Sequence, residues 1–256
     1  MSKKIFFASD FHLGADGTLT SLNRERQIVK WLSSVQGEME ALYLVGDIFD
    51  YWFEYKTTIP KGFTRFLGKL AELRDDGIPV FFFTGNHDMW MFDYFEKEFG
   101  IPVFHKPIQI NLQGKNFFIG HGDGLGPNDR GYKLIKMIFS NRFCQWAYAR
   151  LHPNFGIWLM KKFSNKSRDL NGENNFFHGR ERELLVQYAE RKLLSLPIDY
   201  FIFGHRHLPL KVRLSNKDSY YFGLGDWTHY QSYGVLENGK LSLQYYESPD
   251  RTQIIE

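Results

Sequence analysis

A single cysteine, Cys144, in 256 residues excludes an internal disulfide and favours a reducing compartment. Alone in an apolar, helically patterned stretch, Cys144 reads as a packed side chain. The apolar run Ile5-Phe6-Phe7-Ala8 stops at Ser9-Asp10, too short for a signal-peptide core. No run approaches the ~18 apolar residues of a spanning helix. A cytoplasmic protein is expected, with attachment to a membrane surface left open. The formal charge of +3 is too small to mark a nucleic-acid binder. Repeats, low-complexity tracts and Pro/Ser-rich linkers are absent, so a single domain over 1–256 is expected. What the chain does have is 43% hydrophobic residues and 18% aromatics, 25 of them Phe. A chain of this length buries roughly 70–75% of its unfolded surface and needs no covalent staple.

Apolar strands alternate with amphipathic helices. Strands are expected at Lys3–Ser9, Ala41–Val45, Ile78–Phe83 and Asp199–Phe203, and helices at Thr20–Val35, Lys61–Asp76 and Arg180–Leu196. A hairpin is expected around Gln113-Gly114 and another at Asn238-Gly239 in the β-rich tail. The stretch from Gly124 to His178 is helical in pattern and carries no strand signal. This order predicts α/β layers with buried sheets.

Polar clusters recur where the strands end: Asp10-Phe11-His12, Gly46-Asp47, Gly85-Asn86-His87-Asp88, Gly120-His121 and Gly204-His205-Arg206-His207. In open α/β sheets, ligands bind outside the carboxyl ends of the strands. The metal-capable residues are Asp10, His12, Asp47, Asn86, His121, His205 and His207. That mixed oxygen and imidazole set suits Mn, Fe, Zn or Co. It is too rich in nitrogen for calcium and lacks the thiolates of a structural zinc site. Seven ligands are too many for one ion and reasonable for two, with Asp47 as the carboxylate able to bridge them. Two divalent ions ~3.5–4 Å apart clamp the attacking and leaving oxygens of an in-line displacement at phosphorus. Each cluster alone occurs by chance. Five in this order, each closing an apolar run, point to a two-metal phosphoester hydrolase.

The order of these clusters resembles the calcineurin-like metallophosphoesterases over about residues 1–123 and 199–230. The resemblance implies a four-layer α/β/β/α sandwich. It implies one ion on Asp10, His12, Asp47 and His207, and a second on Asp47, Asn86, His121 and His205. His87 is implied as the catalytic histidine, stabilising charge or protonating the leaving oxygen. Asp88 then orients His87, pairs elsewhere behind the ligands, or serves as a plain turn residue.

Three phrases are similar to the UDP-2,3-diacylglucosamine hydrolases of lipid A synthesis: Ser9-Asp10-Phe11-His12-Leu13-Gly14, Leu44 through Trp52, and His121-Gly122-Asp123-Gly124-Leu125. That resemblance spans nearly the whole chain. It implies pyrophosphate cleavage to UMP and a diacylglucosamine 1-phosphate, with Mn as the usual metal. It also implies a helical lid inserted at 124–178 that receives acyl chains. Asn86, His87, Asp129, Ser167, Asn171 and His205 are implied as substrate contacts. The chain departs from those hydrolases at His87, where Arg is usual, and at Asn174, where Lys is usual.

The residues of the insertion agree. Residues 124–178 hold nine Lys/Arg and three Asp/Glu, a net +6 that leaves −3 for the rest. Leu134-Ile135, Met137-Ile138-Phe139, Phe143, Trp146-Ala147 and Ile157-Trp158-Leu159-Met160 exceed the stripe that one buried face needs. A basic aromatic segment suits acyl chains and the anionic inner-membrane surface. An ordinary helical subdomain with a solvated basic face is the other reading. Two further functions stay open. One is a phosphodiesterase or phosphatase of this fold acting on a nucleotide or other phosphoester. The other is a non-catalytic scaffold, which a missing ligand would mark. Nucleic acid is disfavoured, because the aromatics cluster with aliphatics instead of alternating with Arg and Lys.

Overall fold

Side-chain alternation inside the strands decides the layers. In strand β1 (Lys4–Ala8), Ile5 and Phe7 point to one face, Phe6 and Ala8 to the other. The same split recurs in β2 (Met39–Val45), where Tyr43 and Val45 oppose Leu42 and Leu44. In β7 (Tyr200–Phe203), Ile202 opposes Phe201 and Phe203. Both faces are apolar because both are covered. Three clusters result. The middle one joins Ile5, Phe7, Tyr43 and Val45 to Phe117, Ile202 and Phe222 of a second sheet. One outer cluster packs Phe6, Leu42 and Leu44 against Ile28, Trp31, Phe66 and Leu70. The other packs Phe201, Phe203 and Leu210 against Leu185, Val186 and Ala189. Helices α1 (Ser21–Val35) and α2 (Thr64–Asp75) thus cover one sheet, and α6 (Leu184–Leu193) covers the other. This is the expected α/β/β/α sandwich.

The structure, a computed structural model, describes residues 3–126, 130–160, 162 and 176–255. The remaining strands are β3 (Val80–Phe83), β4 (Val103–Phe104), β5 (Ile108–Leu112), β6 (Lys115–Ile119), β8 (Pro209–Arg213), β9 (Tyr220–Leu224), β10 (Ser232–Glu237), β11 (Lys240–Tyr245) and β12 (Gln253–Ile255). The first sheet has the order β11-β10-β1-β2-β3-β4 and the second β12-β8-β9-β7-β6-β5. Within them, β1-β2-β3 and β6-β7-β9 are runs of adjacent parallel strands. Three strands of each sheet therefore end toward the same edge.

Both hairpins form as expected. Gln113-Gly114 and Asn238-Gly239 take positive φ at both turn residues, the geometry that matches strand twist. Two helices are shorter than their patterns. The helix expected over Lys61–Asp76 starts only at Thr64, because Phe63 before it is left-handed (φ 58°). The one expected over Arg180–Leu196 starts at Leu184, after a turn in which Arg182 and Glu183 donate their backbone N–H to Gly179 O. The six-residue helix α3 (Tyr94–Phe99) and the edge strands β4 and β12 are additions.

Between β6 and α6 lie α4 (Arg130–Ser140), α5 (Arg142–Tyr148) and a helical stretch at 153–160. They rest on a fourth, smaller cluster in which Tyr51, Phe53 and Trp90 meet Phe139, Tyr148, Ile157 and Met160. Trp90 Nε1 donates to Phe139 O at 2.8 Å, and the Tyr51 and Tyr148 hydroxyls are 3.0 Å apart. Lys133 and Lys136 add polar contacts to Gly126 O and Asp123, but several rings stay in the open. Phe143 is 71% exposed, Trp146 54% and Trp158 55%. Among the described residues, no helix is long and apolar enough to cross a membrane.

Candidate metal centre

The strand-end loops are laced to one another before any side chain is considered. Asp10 N donates to Gly46 O and His12 N to Asp47 O, each at 3.0 Å, which carries the β1-β2 ladder into the loops. Gly204 N donates to His121 O at 3.0 Å within the second sheet, and His205 N reaches across to the Asp10 side chain, donating to Oδ2 at 3.1 Å. Glycine is required at two of these crossings. Gly46 has φ 84°, and a Cβ there would lie 2.5 Å from His121 Nδ1. A Cβ on Gly85 would collide with the Asp47 carboxylate. Asp10, His12, Asp47, His205 and His207 are themselves left-handed, with φ between 45° and 64°. Such conformations cost of order 1–3 kcal/mol each and persist only where the surroundings enforce them.

The side chains converge in three overlapping groups: Asp10, His12 and His207; His12, Asp47 and His87; Asp47, His121 and His205. Within each group the potential ligand atoms lie within 4.8 Å of one another. His12 Nε2 is 3.1 Å from His207 Nε2, which is 3.1 Å from Asp10 Oδ1. Asp47 Oδ2 lies 3.2 Å from His121 Nε2 and 4.0 Å from both His12 Nε2 and His87 Nε2. Asp47 thus stands at the junction, as a bridging carboxylate must.

An oxygen stands behind four of these rings at Nδ1. Val45 O takes that of His121 at 2.9 Å and Asp50 O that of His87 at 3.1 Å. Asp50 Oδ1 faces His12 Nδ1 at 3.5 Å, and Asp226 Oδ2 faces His207 Nδ1 at 3.4 Å. A partner at Nδ1 fixes the ring and turns Nε2 inward, which is how metal-binding histidines are oriented.

Burial works against charge throughout, and neighbouring charges decide each outcome. Burial alone would raise the Asp10 carboxyl, but His207 and His12 hold it well below the usual carboxylate range. His121 and His87 do the same for Asp47. Against burial, Asp10 and Asp50 raise His12 to about 9, and Asp47 raises His121 to about 10. Burial and the neighbouring His121 push His205 down to about 4, and burial lowers His87. The carboxylates favour positive charge at the centre.

The structure therefore brings together Asp10, His12, Asp47, His87, His121, His205 and His207. Asn86 belongs to the same loop, between residues whose amides are held by Asp88 and Asp47. Asp129, Ser167, Asn171 and Asn174 lie outside the described residues. Asp88 does not orient His87 through a hydrogen bond. Its buried carboxylate accepts from Asp47 N, Ile48 N, Phe49 N and Gly85 N at 2.7–3.3 Å, clamping the Asp47 loop to the Asn86 loop. Burial and the Asp47 charge push that carboxyl up to about 7, while the amides pull it back.

Two supports were not marked by the motifs. Buried Arg24, on α1, donates to Phe11 O, His12 O and Ala15 O at 2.5–2.7 Å and so holds the Asp10-His12 loop. Asp226 follows β9 as Gly225-Asp226, the same strand–Gly–Asp signature as Gly46-Asp47, so a signal for it was present.

Residues 3–209 match the family model described as calcineurin-like phosphoesterase. The chain belongs to that family. The phosphoesterase is 38% identical to the UDP-2,3-diacylglucosamine hydrolase of Porphyromonas gingivalis, over 96% of this chain and 99% of that one. It is 27% identical to the protein of that name from Shewanella frigidimarina, over 88% of this chain and 89% of the other. With that from Hamiltonella defensa the figures are 28%, 79% and 76%.

The family is metal-dependent, and the phosphoesterase's own residues fit divalent ions. Buried Asn86 Oδ1 has no hydrogen-bond partner, and Asp10 Oδ1 and His121 Nε2, although 3.1–3.2 Å from His207 and Asp47, make no well-aligned hydrogen bond. Buried polar atoms without partners are costly in a protein interior, and a cation gives lone pairs like these a use. The donor set of carboxylate, amide oxygen and imidazole suits Mn, Fe, Co or catalytic Zn.

Proposed function

We propose that this phosphoesterase hydrolyses the pyrophosphate of UDP-2,3-diacylglucosamine, releasing UMP and 2,3-diacylglucosamine 1-phosphate. The observation that carries this reading is the 38% identity to a hydrolase of that name, end to end in both chains. Asp10, His12, Asp47 and His207 would hold one divalent ion, and Asp47, Asn86, His121 and His205 a second. Mn is the first choice of metal. Two such ions supply Lewis acidity, neutralising phosphate oxygens and making a water acidic enough to attack.

The chain's own groups do the rest. With Asp50 O at its Nδ1, His87 keeps Nε2 as the atom that takes and gives the mobile proton. Nε2 lies 4.0 Å from Asp47 Oδ2, at the edge of the centre, where it would face the leaving oxygen of a phosphoryl group bound there. Asp88 and Arg24 keep the two ligand loops still.

Residues 124–178 form the lid in this reading, inserted in a single domain over 1–256. The Phe143–Trp146 and Phe155–Trp158 ring pairs support it, because they lie exposed with Arg150 over Trp146 and Lys162 over Trp158. Apolar rings carrying cations suit acyl chains at an anionic bilayer face, hence a peripheral place on the cytoplasmic side of the inner membrane. Asp129, Ser167 and Asn171, with Asn86, His87 and His205, would contact the sugar and phosphates. Nucleic acid is not a partner in this reading.

The test is direct. Purified protein with Mn2+ is offered UDP-2,3-diacylglucosamine, cyclic nucleotides and aryl phosphodiesters in parallel. UMP release from the first, with little turnover of the others, is the expected result. The reverse ranking makes the protein a general nucleotide phosphodiesterase.

A further inference from the structure

Asp226 is fully buried on the loop that follows β9, beside the loop that carries His205 and His207 after β7. The loop is fixed to the centre by its backbone. Trp227 N donates to Asp10 O at 3.2 Å, and Ser232 Oγ closes the turn by donating to Leu224 O at 2.6 Å. The two carboxylate oxygens have different work. Oδ1 accepts from His229 N at 2.8 Å and Tyr230 N at 3.1 Å, bonds any turn carboxylate could make. Oδ2 accepts from Thr228 Oγ1 at 2.7 Å and faces His229 Nδ1 at 2.9 Å and His207 Nδ1 at 3.4 Å. On its other side, His207 points Nε2 at Asp10 Oδ1 and at His12 Nε2, each at 3.1 Å.

We propose that Asp226 is a positioning residue for His207: its Oδ2 holds the ring proton on Nδ1 and leaves the Nε2 lone pair facing Asp10 and His12, ready for a metal ion. The inference rests on the reading of His207 as a metal ligand. A turn role alone makes a different prediction, because Asn serves in such turns as well as Asp does.

Asp226→Asn separates the two. The amide oxygen can keep the bonds of Oδ1, while the amide N–H that replaces Oδ2 donates toward Nδ1 and drives the ring proton to Nε2. The readout is binding of Mn2+ alone, followed by the EPR signal of free Mn2+. Asp226→Asn should weaken one of two binding events by about 10–100-fold, the usual effect of losing such an outer partner, with the thermal midpoint of the metal-free protein retained. Unchanged affinity at both events overturns the inference. His207→Ala should abolish one event. If it abolishes none, the ligand reading of His207 fails; if it abolishes one and Asp226→Asn changes neither, only the role of Asp226 fails. Should Asp226→Asn not fold, the wild-type protein loaded with Zn2+ gives a second measurement. Ring 15N NMR should show a slowly exchanging Nδ1 proton on His207, and a proton on Nε2 instead overturns the inference.

Discussion

The strand-end centre and the helical segment over 130–162 are built on opposite terms. The ligand loops of the centre are bonded to one another, and four of its five imidazoles have an oxygen behind them at Nδ1. Among the described residues, the helical segment touches the body through one aromatic cluster and through Lys133 and Lys136, which donate to Gly126 O and to Asp123, and it leaves Phe143, Trp146, Phe155 and Trp158 in the open. The centre is complete by itself, because phosphoryl chemistry needs fixed geometry. The helices leave these rings uncovered by the described residues. In the proposed reading, geometry for the reaction and affinity for the substrate are held in separate parts of one chain.

Substitutions at the two ends of this contrast should fail differently. Asp47→Asn should have the largest effect. Losing the bridging carboxylate should cut UMP release about a thousandfold, roughly 4 kcal/mol of barrier. Calorimetric Mn2+ titration of the same variant should show reduced stoichiometry; normal turnover would remove Asp47 from the centre. His87→Ala should lower turnover about a hundredfold, within the range for a general acid, with metal content intact. Loss of metal would make His87 a ligand instead.

On the helical side, the double change Trp146→Ser, Trp158→Ser should reduce turnover of vesicle-borne UDP-2,3-diacylglucosamine about tenfold, the loss expected if roughly 1.4 kcal/mol of membrane and acyl contact is removed. Turnover of a soluble aryl phosphodiester should be spared. Equal loss on both substrates would erase the division of labour. The smallest effect should come from Trp90→Phe. It removes the hydrogen bond to Phe139 O, about 1 kcal/mol, and should make residues 130–160 easier to cleave by limited proteolysis without changing soluble-substrate kcat.

The centre was legible in the sequence because its signals are short-range. An apolar run that stops at Gly-Asp or Gly-His announces both the strand and the ligand at its end. The layers were legible for the same reason, since alternate residues of β1 and β2 are all apolar. Partnerships set by strand pairing were not. Asp226 meets His207 because β7 and β9 are neighbours, and nothing in Gly225-Asp226 states that register. Arg24 sits on a helix whose pattern gave no hint that its guanidinium turns inward to carbonyls. Helix α3 is too short for periodicity to show, and Glu54 reveals it only in space, by accepting from Phe92 N, Asp93 N and Tyr94 N. Apolar helical pattern also cannot distinguish rings buried in a core, such as Trp31, from rings left bare, such as Trp146.

The three strand ends contributed by each sheet have a mechanical consequence. His12 and His207 stand 195 residues apart in sequence, on loops of different sheets, and Asp47 likewise meets His121 and His205 across the seam. An ion held in either place would cross-link the two halves of the sandwich, in the first place closing a loop of 195 residues. It would resist sliding of one sheet over the other at the edge where these strand-end loops meet. In a protein whose single cysteine rules out an internal disulfide, the catalytic metals would double as its rivets.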